Sequence, residues 1–197
     1  LDAIERNSDF HLGFYRELAR IDDYGYMHPT RRWTNLLPPT FIIDTNASAT
    51  LDGLIDQSQI NTVRDIIKRM TPIWTGNFYS SVQIETRPFS GLNLDRDIPD
   101  NAYVITFDDS LIGRGAFGET IYAFTSNVIN KTVIWLVDDM DFYRRGRITF
   151  EEIISHEMGH GFGFEHTSLL PSVMLPVGAY GDLYSDADRL HAAIMYR

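Results

Sequence analysis

Residues 156–166 read HEMGHGFGFEH and hold half of the chain's six histidines, while His11, His28 and His191 are scattered. This stretch limits the fold more than any other. On a helix, His156 and His160 lie four positions and roughly 40° apart, so both imidazoles leave one face a turn apart, as two ligands of one metal require. Glu157 is rotated by about 100° from the first of them, placed to act on a water at the metal without becoming a ligand. Gly163 accepts the left-handed conformation that ends a helix, and the turn it allows lets His166 supply a third nitrogen from outside the helix. The chain has no cysteine, so a metal here is held by nitrogen and oxygen alone. Three neutral imidazoles with a fourth position left to water describe an open, catalytic zinc (Zn2+) site. The chemistry implied is amide hydrolysis, with Glu157 as the base that takes a proton from the attacking water and passes it to the leaving amine. With histidine near ~2% of residues, a chance match to these five fixed positions in a chain this long is on the order of 10⁻⁵, which disfavours coincidence.

The helix itself is legible. In TFEEIISHEMGHGFG, Thr149 and Glu152 have capping-box spacing, and Ile153, Ile154 and Met158 form a core face. Upstream, Asp56 to Met70 carries Ile60, Val63, Ile66, Ile67 and Met70 at helical spacing, and SDADRLHAAIMYR closes the chain as a helix with Ser185 as N-cap. FIID reads as a short buried strand, SSVQIETR and AYVITFDD alternate at period two, and ETIYAF and KTVIWLV follow as two more strands. A polar loop from Pro88 to Asp100 separates the second strand from the third. The class is α+β or α/β with one central sheet.

Residues 1–40 read as an N-terminal extension, a helix (FHLGFYRELARI) and then an extended arm, with the Pro38–Pro39 pair as the boundary. The main domain is expected over 41–197. At 197 residues, with 44% hydrophobic content, one domain with a sizeable core is expected. No apolar run approaches the ~20 residues of a membrane span. The net charge of −10 argues against nucleic acid or an anionic membrane as partner, and the chain is read as a monomer. It begins at Leu1, which suggests a removed leader and an extracellular protein, secreted or at the cell surface.

HExxHxxGxxH is the signature of the metzincin metalloproteases, and His156, Glu157, His160, Gly163 and His166 match every fixed position. Within that clan the chain most resembles the matrixins, the matrix metalloproteinase group and its bacterial relatives. Met174 falls eight residues after His166, where the family's methionine turn lies. Pro176 stands two further on, as in the matrixin specificity loop, and MTPIW after the first long helix and YSDADRLHAAIMY at the end also look like matrixin segments. Gly178 stands where matrixins carry a tyrosine, with Tyr180 two residues on, and Pro176 occupies the place of the tyrosine that astacins and serralysins carry.

The resemblance implies a twisted five-stranded mixed sheet, an upper subdomain over 41–163 with the active-site helix, and a lower one over 164–197 ending in a helix. It implies that Met174 forms an apolar floor beneath the zinc, that Asp188 braces the methionine turn, and that Pro176, Val177 and Tyr180 line the S1′ pocket. Glu152, four residues before His156, projects either into the inner end of that pocket or, as a plain helix cap, to solvent. A polypeptide substrate is expected to lie as a strand along an edge at Gly118–Phe124.

The cysteine latch of matrixin proenzymes is impossible here. Residues 1–40 are a propeptide remnant or an arm packed on the domain, and a solvated or surface-docked segment is favoured over metal contacts from Asp22, Asp23 or His28. Two acidic groups, Asp138, Asp139 and Asp141, and Asp95, Asp97 and Asp100, have the composition of calcium (Ca2+) loops but lack the EF-hand pattern, so solvated turns are as good a reading. The rival function is a catalytically silent zinc domain used in binding or adhesion. Glu157 argues against it, because such a domain needs no base beside its first ligand.

Overall fold

The computed structural model describes residues 10–46, 55–138, 148–169, 171–176 and 185–197. Five strands, β1 (Thr40–Asp44), β2 (Gln83–Arg87), β3 (Ala102–Phe107), β4 (Gly118–Thr125) and β5 (Val128–Leu136), form one mixed sheet in the order β2-β1-β3-β5-β4. All neighbours are parallel except β4, which runs antiparallel to β5 and forms an edge. Among the described residues, four α-helices accompany the sheet: α1 (Leu12–Arg20), α2 (Gln57–Trp74), α3 (Phe150–Gly161) and α4 (Asp186–Met195). The fold class is α+β with a five-stranded mixed sheet, as expected. No helix among the described residues is long and apolar enough to cross a membrane.

Local chemistry sets the helix starts. Asp56, Thr149 and Ser185 each open a capping box, with Gln59, Glu152 and Asp188 respectively reaching back to the cap residue's backbone, so two otherwise orphaned amide groups are satisfied at each end. Helix α2 runs further than the apolar spacing suggested, through Thr71 and Pro72 to Trp74. MTPIW is therefore the last turn of the helix, not a segment after it. Thr71 donates its hydroxyl to the Ile67 carbonyl at 2.8 Å, and the fully buried Trp74 donates its indole N–H to Ser155 O of α3 at 2.9 Å. Packing between α2 and α3 thus carries the helix past a residue that lacks a donor.

Strand β3 also departs from its reading as a half-buried, alternating strand, since all six of its residues are buried. One face meets the helices through Tyr103, Ile105 and Phe107. The other is covered by the 88–100 loop, where Phe89 and Ile98 pack on Val104, Ala102 and Ile42. A central strand covered on both faces has no solvent-exposed positions, and its polar Thr106 is buried with its hydroxyl donating to Asp44 Oδ2 at 2.9 Å.

Phe14, Leu18 and Ala19 of α1, and Trp33 beyond it, belong to the main core together with Phe41, Tyr103 and Phe162. The Trp33 indole N–H donates to Gly161 O at 2.9 Å, and Arg32 pairs as a parallel bridge with Val128 at the start of β5. The first strand begins where the double proline predicts a boundary, but the core does not stop there.

Candidate metal centre

Helix α3 lies beneath β4, and its C-terminal half carries His156, Glu157 and His160. Its end is a Schellman motif: Gly163, at φ 94°, donates its N–H to His160 O at 2.8 Å, and Phe164 N–H donates to Gly159 O at 3.0 Å. The chain reverses there, Phe164 buries its ring 4.8 Å from that of Trp74, and His166 comes back to face the helix.

The three Nε2 atoms converge. They are 3.1 Å apart for His156 and His160, 3.2 Å for His160 and His166, and 3.3 Å for His156 and His166. A tetrahedral zinc with bonds near 2.0–2.1 Å needs nitrogen–nitrogen edges of about 3.3–3.4 Å, so the triangle has the size of one face of such a site. The outer nitrogens decide the tautomers. His156 Nδ1 lies 2.7 Å from Val173 O and His160 Nδ1 2.8 Å from Phe164 O; a carbonyl only accepts, so Nδ1 carries the proton in both rings. Burial pulls the His156 pKa down to about 4 and that of His160 well below its ordinary value, the charge of neighbouring histidines adding to both. Both rings are neutral at pH 7, and their bare Nε2 lone pairs face each other with no proton to share. A metal cation would satisfy that arrangement, and the all-nitrogen donor set suits zinc. Among the described residues, these three are the group whose ligand atoms converge closely enough to hold a metal.

Glu157 is 5% exposed, and burial raises its pKa to about 7, with the Glu119 charge contributing and the Thr120 hydrogen bond opposing. The Thr120 hydroxyl of β4 donates to Glu157 Oε2 at 2.6 Å. Gly118 leaves room for this carboxylate, since a Cβ there would lie 2.6 Å from Oε1. A glutamate whose proton affinity lies near neutrality, beside a group that could hold a metal, has the affinity a general base needs.

Met174 is fully buried in a tight turn under α3. A Cβ on Gly159 would lie 2.5 Å from its sulfur, so helix and turn are in close contact. Asp188, also fully buried, braces the turn: it accepts from Ser172 Oγ at 2.6 Å and Val173 N–H at 3.1 Å, and from Ser185 N–H and Oγ at 3.0 Å. The brace thus also holds the Val173 carbonyl to which His156 donates.

His156, Glu157, His160 and His166 line a cleft of about 480 Å³ bounded by Gly118, Thr120 and Tyr122 of β4 on one side and Val173, Leu175 and Pro176 on the other. Glu152 lines it too and is only 8% exposed, so it does not point to solvent. It is at once the helix cap, accepting from Thr149 N–H at 2.6 Å and Thr149 Oγ1 at 2.8 Å through Oε2, and part of the cleft wall. Val177 and Tyr180 lie outside the described residues, as do Asp139 and Asp141. Asp97 is engaged by Arg96 and Asp100 by Lys131, while Asp138 accepts from Gln59 Nε2.

The roles of three partners of the site are not legible in the sequence. Thr120 reads only as part of the strand expected at the substrate edge. Tyr122 donates to Glu165 Oε1 at 3.2 Å while accepting from Arg31 at 3.2 Å, a bond visible only once the arm is laid against β4. Asp23, weighed above as a metal contact, instead meets His166 Nδ1 at 2.7 Å. The chain matches no family model and no curated protein.

Proposed function

We propose that the protein is a zinc-dependent endopeptidase of the metzincin type, closest to the matrixins, acting on extracellular polypeptides. The observation that carries this reading is the triangle of Nε2 atoms 3.1–3.3 Å apart with a buried glutamate alongside. The chemistry that zinc supplies when held by His156, His160 and His166 is polarisation of a carbonyl and acidification of water. Glu157 accepts the proton of the attacking water and returns it to the leaving amine. Thr120 anchors one carboxylate oxygen and so orients the other. The edge strand β4 offers unpaired backbone groups along the cleft, to which an extended peptide adds as a further strand.

The reading is tested by digesting a denatured protein mixture with the zinc-loaded protein, with and without a chelator, and sequencing the products. Cleavage that the chelator stops and added zinc restores is expected. Loaded protein that cleaves nothing would leave a zinc-binding module without the reaction.

Glu152 bears on specificity. A buried carboxylate on the cleft wall favours a long basic P1′ side chain, which buries its stem and pairs its head. In kcat/KM comparisons of peptides differing only at P1′, Lys and Arg should be preferred over Leu and Met. Glu152→Gln, which keeps an acceptor for Thr149, should reduce that preference on the order of 10-fold. An identical ranking in both proteins would remove Glu152 from specificity.

A further inference from the structure

We infer that Asp23 is a positioning residue of the metal centre, and that residues 17–33 are a built-in part of that centre, holding the loop that bears its third ligand. The inference rests on the reading of the three histidines as a metal site.

The ligands are not held alike. His156 and His160 ride on α3 and donate from Nδ1 to backbone carbonyls, so the scaffold that carries them also orients them. His166 stands beyond the Schellman turn, on a loop with no hydrogen-bonded helix or strand of its own. Its Nδ1 meets the Asp23 carboxylate at 2.7 Å, across 143 positions of sequence. Of the three, it alone has a charged side chain as its outer partner. A carboxylate on Nδ1–H fixes the tautomer with the Nε2 lone pair toward the metal, sets the ring's angle and makes Nε2 a stronger donor.

The loop around His166 is tied to the same N-terminal stretch. Glu165 N–H donates to Leu18 O at 2.7 Å. Glu17 Oε2 accepts from Ser168 N–H at 2.6 Å, Ser168 Oγ at 2.9 Å and Thr167 Oγ1 at 3.0 Å, and these bonds hold the Glu17 carboxyl below its usual pKa. His28 Nε2 lies 3.2 Å from Glu165 Oε1.

Asp23 is itself presented by a defined turn. Asp22 Oδ1 accepts from Tyr24 N–H at 3.1 Å and Tyr26 N–H at 2.9 Å, Gly25 at φ 81° closes the bend, and Ile21 pairs with Met27 across its base. A segment bound this way on both sides of the third ligand is a component of the site, not a strap lying over it.

The test is zinc affinity of the full chain by chelator competition, with the visible absorption of the cobalt-substituted protein as a second readout. Asp23→Ala should weaken zinc 10–100-fold and shift the cobalt bands, which report ligand geometry. Asp23→Asn, which keeps an acceptor oxygen without the charge, should fall between. The Asp23 side chain is 62% exposed, so melting of the metal-free variants should stay close to wild type. Asp23→Ala and Asp23→Asn with affinities within twofold of wild type and unchanged cobalt spectra would overturn the inference and leave the proposed activity standing. Wild-type protein that binds no zinc would overturn both.

Discussion

Glu157→Ala is expected to lower kcat/KM for peptide hydrolysis by roughly 10³-fold or more while the protein still binds one zinc. The size follows from what a positioned base contributes, about 10²–10⁴-fold, with its role in returning the proton to the amine added. The separation of the two effects follows from the geometry. Glu157 turns toward Thr120 and Gly118 of β4, whereas the three Nε2 atoms converge on one another. Removing the carboxylate also relieves a buried group that holds its proton up to about pH 7, so the variant should be no less stable than wild type. Turnover equal to wild type would remove Glu157 from the chemistry, and loss of zinc would make its role structural. Both are read from one preparation by steady-state kinetics and metal analysis.

Gly163→Ala should be the most damaging single methyl group in the site. At φ 94° the backbone adopts a conformation that L side chains rarely take, which costs about 1–3 kcal/mol. The added Cβ would also run into the Arg31 carbonyl and lie 3.1 Å from Ile129 Cδ1. Backbone cannot swing away as the end of a side chain can, so the arm or the turn must move. A total of about 2–4 kcal/mol corresponds in a domain of this size to a melting temperature lower by roughly 5–15 °C. Because the turn carries His166, zinc affinity should fall as well. Gly113→Ala is the control, since nothing lies within 4 Å of a Cβ there, and it should melt within about 1 °C of wild type. Melting is compared on metal-free protein, so that bound zinc does not add its own stabilisation. Equal melting of Gly163→Ala and Gly113→Ala would show that the turn tolerates a side chain.

What was legible in the chain is what short-range chemistry specifies. The starts of α3 and α4 follow from Thr149 with Glu152 and from Ser185, each within four residues of its partner. His156, Glu157 and His160 share a helix, so their spacing alone implies their geometry, and Gly163 announces the turn that returns His166. Less was legible where distant packing decides. Trp74 keeps α2 helical past Pro72 through a bond to Ser155, 81 positions away. Strand β3 loses its alternation because a loop covers the sheet's second face. The arm's acidic and aromatic residues read as surface, yet Trp33 is fully buried and Asp23 meets His166. Nothing local in DDYGYM signals that contact, which forms only when α1 docks on the core through Phe14 and Leu18.

Titrating metal-free protein with zinc while following hydrolysis of a peptide tests directly whether the three histidines hold one metal on which a peptidase activity depends. Activity should rise from zero in proportion to added zinc and level off at one equivalent, and His160→Ala should neither retain the metal after desalting nor hydrolyse the peptide. Hydrolysis at full rate without metal, or a His160→Ala protein that binds zinc as tightly as wild type, would contradict that reading.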